Sequence, residues 1–290
     1  MKPPPFEYSA AHSVEEAVDL LAEHGDEAKV LAGGQSLLPL LSLRLARPGI
    51  LVDINPVAEL ATISDGSGLE LGAMVRHRAA ERSAAVRTEA PLVIEALGLV
   101  GHAAIRSRGT IGGSVAHADP AAELPAVLLA LDGEVVATSR RGARTVAARD
   151  LFAGFLTTTL EPDELLTAVR LPAGPARVGS SFQEFSRRSG DFGVVGVACG
   201  LALSGDGRVD HGRLAFSGVA GTPVRADGAE AVLAGASPSA ELWEQAGREA
   251  ASQLDPPGDL HGSPAYRRHL AAVLAQRALA QAFDRAKGAK

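Results

Sequence analysis

Leu31-Ala32-Gly33-Gly34-Gln35-Ser36 and Thr110-Ile111-Gly112-Gly113-Ser114 lie about eighty residues apart and organise the rest of the chain. Each has an aliphatic or β-branched approach, two residues without Cβ, then a polar side chain. Glycine lets a backbone come close to a ligand and adopt φ > 0 without steric cost. Consecutive N–H groups in such turns form an anion-binding concavity. The pattern therefore predicts two segments that cradle one phosphate-bearing ligand from opposite sides. Neither is Gly-x-Gly-x-x-Gly, which argues against a Rossmann site. Neither is followed by Lys-Ser/Thr at P-loop spacing, which argues against nucleotide hydrolysis.

Working outward, Lys29-Val30-Leu31-Ala32 reads as a short buried strand that delivers the first pair. Ser36 is placed to cap a helix over Leu37-Leu38-Pro39-Leu40-Leu41, with Pro39 in a first turn that tolerates its missing N–H. Upstream, Phe6-Glu7-Tyr8 reads as a strand, and Ser13-Val14-Glu15-Glu16 as a capping box opening a helix that Gly25 stops. Ile50-Leu51-Val52-Asp53-Ile54 is a further strand, so 1–56 reads as a small β-α-β lobe. A second lobe, 57–175, carries strands at Leu69–Ala73, Glu134–Thr138 and Leu165–Leu171. Between them the pattern predicts helix from Arg78 to Leu99, broken into two by Pro91, and helix from Pro120 to Leu131. Ala173-Gly174-Pro175 reads as a linker. Beyond it, 176–290 reads as three successive strands (Ser181–Arg187, Val194–Ser204, Gly212–Val219) followed by helices, an α+β arrangement.

Composition sets limits. At 290 residues, two domains is the natural division. Net charge is −6 with both signs interspersed, which argues against nucleic acid as a partner. One cysteine, Cys199, excludes a disulfide framework or a cysteine-ligated cluster within the chain. His102 and His117 are too isolated for a metal site. No apolar run approaches a membrane span, and the first residues show no secretory signal, so the expected location is cytoplasmic.

Ala32-Gly33-Gly34-Gln35-Ser36-Leu37-Leu38-Pro39 and Thr110-Ile111-Gly112-Gly113-Ser114-Val115-Ala116-His117-Ala118-Asp119-Pro120 resemble the two signature loops of the FAD-binding medium subunits of molybdenum hydroxylases, the carbon monoxide dehydrogenase type most closely. Pro162-Asp163-Glu164-Leu165-Leu166 and Phe185-Ser186-Arg187-Arg188-Ser189-Gly190-Asp191-Phe192 match the same pattern in the same order. The resemblance covers essentially the whole chain. It implies an α+β fold: a two-lobed FAD domain of the vanillyl-alcohol-oxidase (PCMH) type, then a C-terminal α+β flavoprotein domain. It also implies a job, receiving electrons from a small subunit with two [2Fe–2S] clusters, fed by a large molybdopterin subunit, and passing them to an outside acceptor. A dimer of such heterotrimers is the expected assembly. A free-standing flavin oxidoreductase of this fold, or a scaffold that has lost FAD, are the alternatives.

Residue by residue, the resemblance implies pyrophosphate contacts at Ala32, Gly33, Gly34, Gln35 and Ser36, and at Thr110, Ile111, Gly112, Gly113 and Ser114. Gln35 stands where the carbon monoxide dehydrogenase type often has His, which implies non-covalent FAD; Ser114 stands where the family usually has Asn. Glu123 falls where xanthine dehydrogenase-type subunits have an FAD-bonding Asp, and Asp119 could take that part instead. Leu166 and Phe192 are expected against the flavin. Gln183 occupies the position of a xanthine dehydrogenase lysine near the flavin edge, and its neutrality argues against NAD as acceptor.

Overall fold

The computed structural model describes residues 2–173 and 178–288. Ala173 is followed by Gly174 and Pro175 of the expected linker, which lie outside the described residues.

The first lobe is a three-stranded parallel sheet in the order Glu7–Ala10, Ile50–Asp53, Ala28–Leu31. Its helix, Val14–His24, starts at Ser13, whose hydroxyl accepts the Glu16 N–H at 3.1 Å. The reciprocal half of the box reaches one residue further back, since Glu16 Oε2 accepts the His12 N–H at 2.7 Å. Ala17, Val18 and Leu21 bury one stripe of this helix in a core that also takes Val52, Ile54, Met74 and Leu165. Met74 and Leu165 belong to the second lobe, so the two lobes share this core.

The second lobe is a five-stranded antiparallel sheet, ordered Ile63–Asp65, Gly68–Gly72, Leu165–Pro172, Glu134–Ser139, Gly142–Ala147. The first and last of these strands fall outside the predicted set; neither has a fully alternating face, with no residue buried in Ile63–Asp65 and only Val146 buried in Gly142–Ala147. The helical stretch divides into three helices, not two: His77–Arg82, Ala84–Glu89 and Pro91–Leu97. Pro91 makes one break as expected. Ser83 makes the other by capping the Val86 N–H. Two further short helices, Ala103–Arg108 and Ile111–His117, precede the helix Glu123–Ala130.

The C-terminal part is an antiparallel sheet of Val178–Phe185, Val195–Leu203, Val209–Ser217 and Val224–Arg225. Asp227–Leu233, Ala240–Ser252 and Pro264–Gly288 cover one face. Every residue of Val195–Leu203 is buried, and the strand period sorts them. Val195, Val197, Cys199, Leu201 and Leu203 join the core beneath these helices. Ala198 faces the other way, into the core of the second lobe, beside Phe182 and Ala215. Glu123–Ala130 is buried along its whole length because it lies between this sheet and the second lobe.

Candidate functional site

The fold brings the two glycine segments together. A Cβ on Gly113 would stand 3.5 Å from the Ala32 Cβ, and a Cβ on Gly33 would stand 2.5 Å from the Arg108 carbonyl oxygen. Gly33 is thus glycine because the first lobe presses directly on backbone of the second. Gly34 is glycine for a different reason, a φ of 72°.

The two segments are not equivalent. In the first, the N–H groups of Gly33, Gly34, Gln35 and Ser36 find no hydrogen-bond partner among the described residues. Gln35 folds back so that Nε2 donates to the Gly33 carbonyl at 3.1 Å, which fixes the turn. Ser36 does not cap the Leu37–Ser42 helix as predicted; its backbone is itself helical and its hydroxyl makes no cap bond. Four adjacent unpaired donors and a free hydroxyl are the makings of an anion cradle.

The second segment is a helix, not a turn. Thr110 is the N-cap, and the helix runs Ile111–His117. Its donors are satisfied within the protein: Ile111 N to Val75 O (2.9 Å), Gly112 N to Ala73 O (3.0 Å), Gly113 N to Thr110 Oγ1 (3.1 Å) and Ser114 N to Thr110 O (3.0 Å). The expected symmetric cradle of backbone N–H groups is corrected accordingly. Gly112 lacks a side chain because a Cβ there would meet the Ala73 Cβ at 2.5 Å. What this segment leaves for a ligand is the half-buried Ser114 hydroxyl and a wall facing the first loop.

Residues that the motifs did not mark tie these parts together. Asn55 Nδ2 donates to the Ala32 carbonyl at 2.9 Å, and its N–H donates to Asp53 Oδ1 at 2.9 Å. Asp53 Oδ2 accepts the Tyr8 hydroxyl at 2.7 Å. The Arg76 guanidinium donates to Asn55 Oδ1 and to the Arg108 carbonyl. His77 Nε2 lies 3.0 Å from the Thr110 carbonyl, and burial holds its pKa down to about 4. The neutral ring therefore donates from Nε2. Between about pH 6.5 and pH 4 the unfolded chain takes a proton that the folded chain refuses, so stability falls as pH is lowered through that window. From pH 7 to pH 5 the loss is about 2 kcal/mol by linkage. Since the His77 contribution is absent from His77→Gln, lowering the pH from 7 to 5 is expected to change the urea-unfolding stability of the variant by about 2 kcal/mol more favourably than that of the parent; an equal response of the two proteins would clear His77.

The Asp119–Glu123 segment leads from this wall into the seam with the C-terminal sheet. Asp119 Oδ1 accepts the Ala121 N–H at 2.9 Å, and the Pro120 carbonyl accepts the Gly218 N–H at 2.8 Å. Glu123 is 4 % exposed, and burial raises its pKa to about 7. Gln183 is not on this side. It pairs with Val197, and its amide donates to Ser181 Oγ (3.2 Å) and Gln281 Oε1 (2.9 Å), toward the last helix. The residue on the seam is its neighbour Glu184, paired with Gly196 on the opposite face. Burial, then the charge of Glu123, pushes Glu184 up to about 8. Glu184 Oε2 and the Ser217 hydroxyl are both buried there without a partner. Leu166 is 5 % exposed and packs in the core of the second lobe. Phe192 is 62 % exposed, in a loop that Gly190 seats against the His102 ring.

Other marked residues have structural roles. Glu164 is bound by Arg144 at 2.6 and 2.7 Å and accepts the Glu161 N–H at 2.8 Å, which shapes the turn before Leu165. Cys199 is fully buried, and burial pushes its thiol pKa up. Among the described residues no group of three or more His, Cys, Asp or Glu could hold a metal, and no helix is long and apolar enough to cross a membrane. A concavity of about 290 Å³ beside Glu70, Asp132, Glu134 and Arg170 lies at the other end of the same strands; carboxylates outnumber cations there, so it does not suit a pyrophosphate.

Comparison with known proteins agrees with this geometry. Residues 4–174 match the family described as "FAD binding domain in molybdopterin dehydrogenase", and residues 180–282 match "CO dehydrogenase flavoprotein C-terminal domain". The chain is 42 % identical over 291 residues to the 6-hydroxypseudooxynicotine dehydrogenase complex subunit alpha of Paenarthrobacter nicotinovorans, covering 100 % of this chain and 98 % of that one. It is 38 % identical over 286 residues to the carbon monoxide dehydrogenase medium chain of Hydrogenophaga pseudoflava, covering 98 % and 99 %. A solved carbon monoxide dehydrogenase structure from Hydrogenophaga pseudoflava superposes with a TM-score of 0.95 at 40 % identity, covering 98 % of this chain and 99 % of that one. Quinoline 2-oxidoreductase from Pseudomonas putida 86 superposes at 0.93 with 38 % identity, covering 99 % of each chain.

Proposed function

The chain belongs to the family of FAD-binding medium subunits of molybdenum hydroxylases, and we propose that it binds FAD non-covalently and passes electrons from an iron–sulfur subunit to an external acceptor. The observation that carries this reading is the row of four unpaired N–H groups at Gly33–Ser36, set against the Ile111–His117 helix of the other lobe. Bound there, the flavin supplies the redox chemistry. The chain's own residues bind and orient. Ala32 presents its carbonyl to Asn55 and so turns the Gly33 N–H toward the cleft. Gly33, Gly34, Gln35 and Ser36 hold the pyrophosphate, and Thr110, Ile111, Gly112, Gly113 and Ser114 form the facing wall. Asp119 and Glu123 lie along the path from this wall to the seam and accept ligand hydroxyls. We assign the seam contact to Glu184 in place of Gln183, leave Leu166 to the core edge, and give Phe192 the part of a shield at the exposed side.

The chain holds one cysteine, so the [2Fe–2S] clusters belong to a small partner and the molybdopterin to a large one. A cytoplasmic dimer of heterotrimers is the assembly we propose. The test is colour. The purified chain, incubated with FAD and desalted, is expected to keep the flavin absorbance bands at close to one flavin per chain. A colourless protein would sink the cofactor assignment.

A further inference from the structure

We infer that Arg76 and Asn55 form a clasp that aims the anion cradle, and that this clasp sets the affinity for FAD; the inference rests on the flavin reading above. Neither residue lies in a glycine segment, and no ligand contact is needed of either. Asn55 follows the end of the Ile50–Asp53 strand in the first lobe, and Arg76 precedes the His77–Arg82 helix in the second. Their contacts run in series. Arg76 binds the Arg108 carbonyl with one guanidinium nitrogen and Asn55 Oδ1 with the other. Asn55 then binds the Ala32 carbonyl through Nδ2 at 2.9 Å. Asp53 fixes the Asn55 backbone N–H at 2.9 Å and is itself held by Tyr8 at 2.7 Å.

The two carbonyls are those just before Gly33 and Gly109, the residues whose backbones meet at the lobe boundary. In a planar trans peptide the C=O and the following N–H point in opposite directions. Binding the Ala32 carbonyl from one side therefore turns the Gly33 N–H to the other, where it heads the row of unpaired donors. Binding the Arg108 carbonyl holds the opposing lobe in register with it. A guanidinium suits this place because its planar fork reaches two acceptors at once, which a lysine ammonium does not do with fixed geometry. Arg76 is thus a positioning residue: it acts through Asn55 and the loop.

The test uses the full chain, with FAD itself as probe and quenching of flavin fluorescence as readout, beside urea unfolding of the flavin-free protein. Arg76→Lys keeps the charge and loses the fork. Asn55→Ala removes the donor to Ala32 and the acceptor for Arg76 without setting a second carboxylate against Asp53, whose Oδ1 also accepts Asn55 Nδ2 at 2.5 Å. Each is expected to raise the FAD dissociation constant about tenfold, the scale of one lost oriented hydrogen bond. The double variant is expected to be no weaker than the worse single one, since the two contacts act in series. Asn55→Ala is expected to lose less flavin-free stability in urea than it loses in FAD affinity. Wild-type affinity in both single variants would overturn the clasp. So would effects that multiply in the double variant, or a loss of affinity matched by an equal loss of flavin-free stability. A parent chain that holds no FAD would bring down the flavin reading itself.

Discussion

Gly33→Ala is expected to purify without flavin. The added methyl carbon would lie 2.5 Å from the Arg108 carbonyl oxygen and 2.9 Å from the Gly109 Cα. Both are backbone atoms, and the Arg108 carbonyl is further held by Arg76, so no side chain can rotate to make room. The first loop must lift away from the second lobe. Overpacking of this kind costs about 1–3 kcal/mol in the flavin-free protein. The loss of affinity is expected to be larger, at least about a hundredfold, since lifting the loop moves all four cradle donors from their places at once. Gly66→Ala is the control, because nothing lies within 4 Å of the Cβ it would add. The measurement is the ratio of flavin to protein absorbance after desalting. A parent-like ratio in Gly33→Ala would show that the lobes do not need this contact.

The flavin-free chain is expected to lose stability as pH rises from about 5 to 9, and Glu184→Gln to remove most of that loss. Glu123 and Glu184 both have pKa values raised, to about 7 and about 8, chiefly by burial, and the charge of Glu123 adds to the shift of Glu184. Unfolded, both carboxyls lose their protons at about pH 4.5. Between that pH and the folded values the native state holds protons that the unfolded state has released, so stability declines as pH rises. Glutamine at 184 carries no charge at any pH, so only the Glu123 contribution remains. The variant is expected to exceed the parent by about 4 kcal/mol more near pH 9 than near pH 5. Parallel stability curves for the two proteins across this range would refute the assignment. His77 acts in the opposite sense over pH 4 to 6.5, where its one proton offsets part of the effect of the two carboxyls.

Much of this was legible in the sequence. The capping box at Ser13, the strand feeding Gly33 and the C-terminal sheet followed by helices all come from local periodicity and turn chemistry, which a chain expresses residue by residue. The meeting of the two glycine segments was legible only from their likeness. Their inequivalence was not, because whether an N–H is free depends on tertiary partners such as Ala73 and Val75, which no local pattern marks. Asn55 and Arg76 escaped notice for the same reason. Each looks like a surface residue until the lobes are brought together. Gln183 shows a sharper limit. In a strand, a reading displaced by one residue changes faces, and only the pairing of Glu184 with Gly196 reveals which side meets the seam.

The helix Glu123–Ala130 has no exposed side. One flank is covered by the second lobe and the other by a sheet that begins at Val178, far along the chain. A growing polypeptide that has completed the FAD lobes still lacks half the surroundings of this helix. The stretch before residue 174 therefore carries an apolar helix flank that only the C-terminal sheet covers.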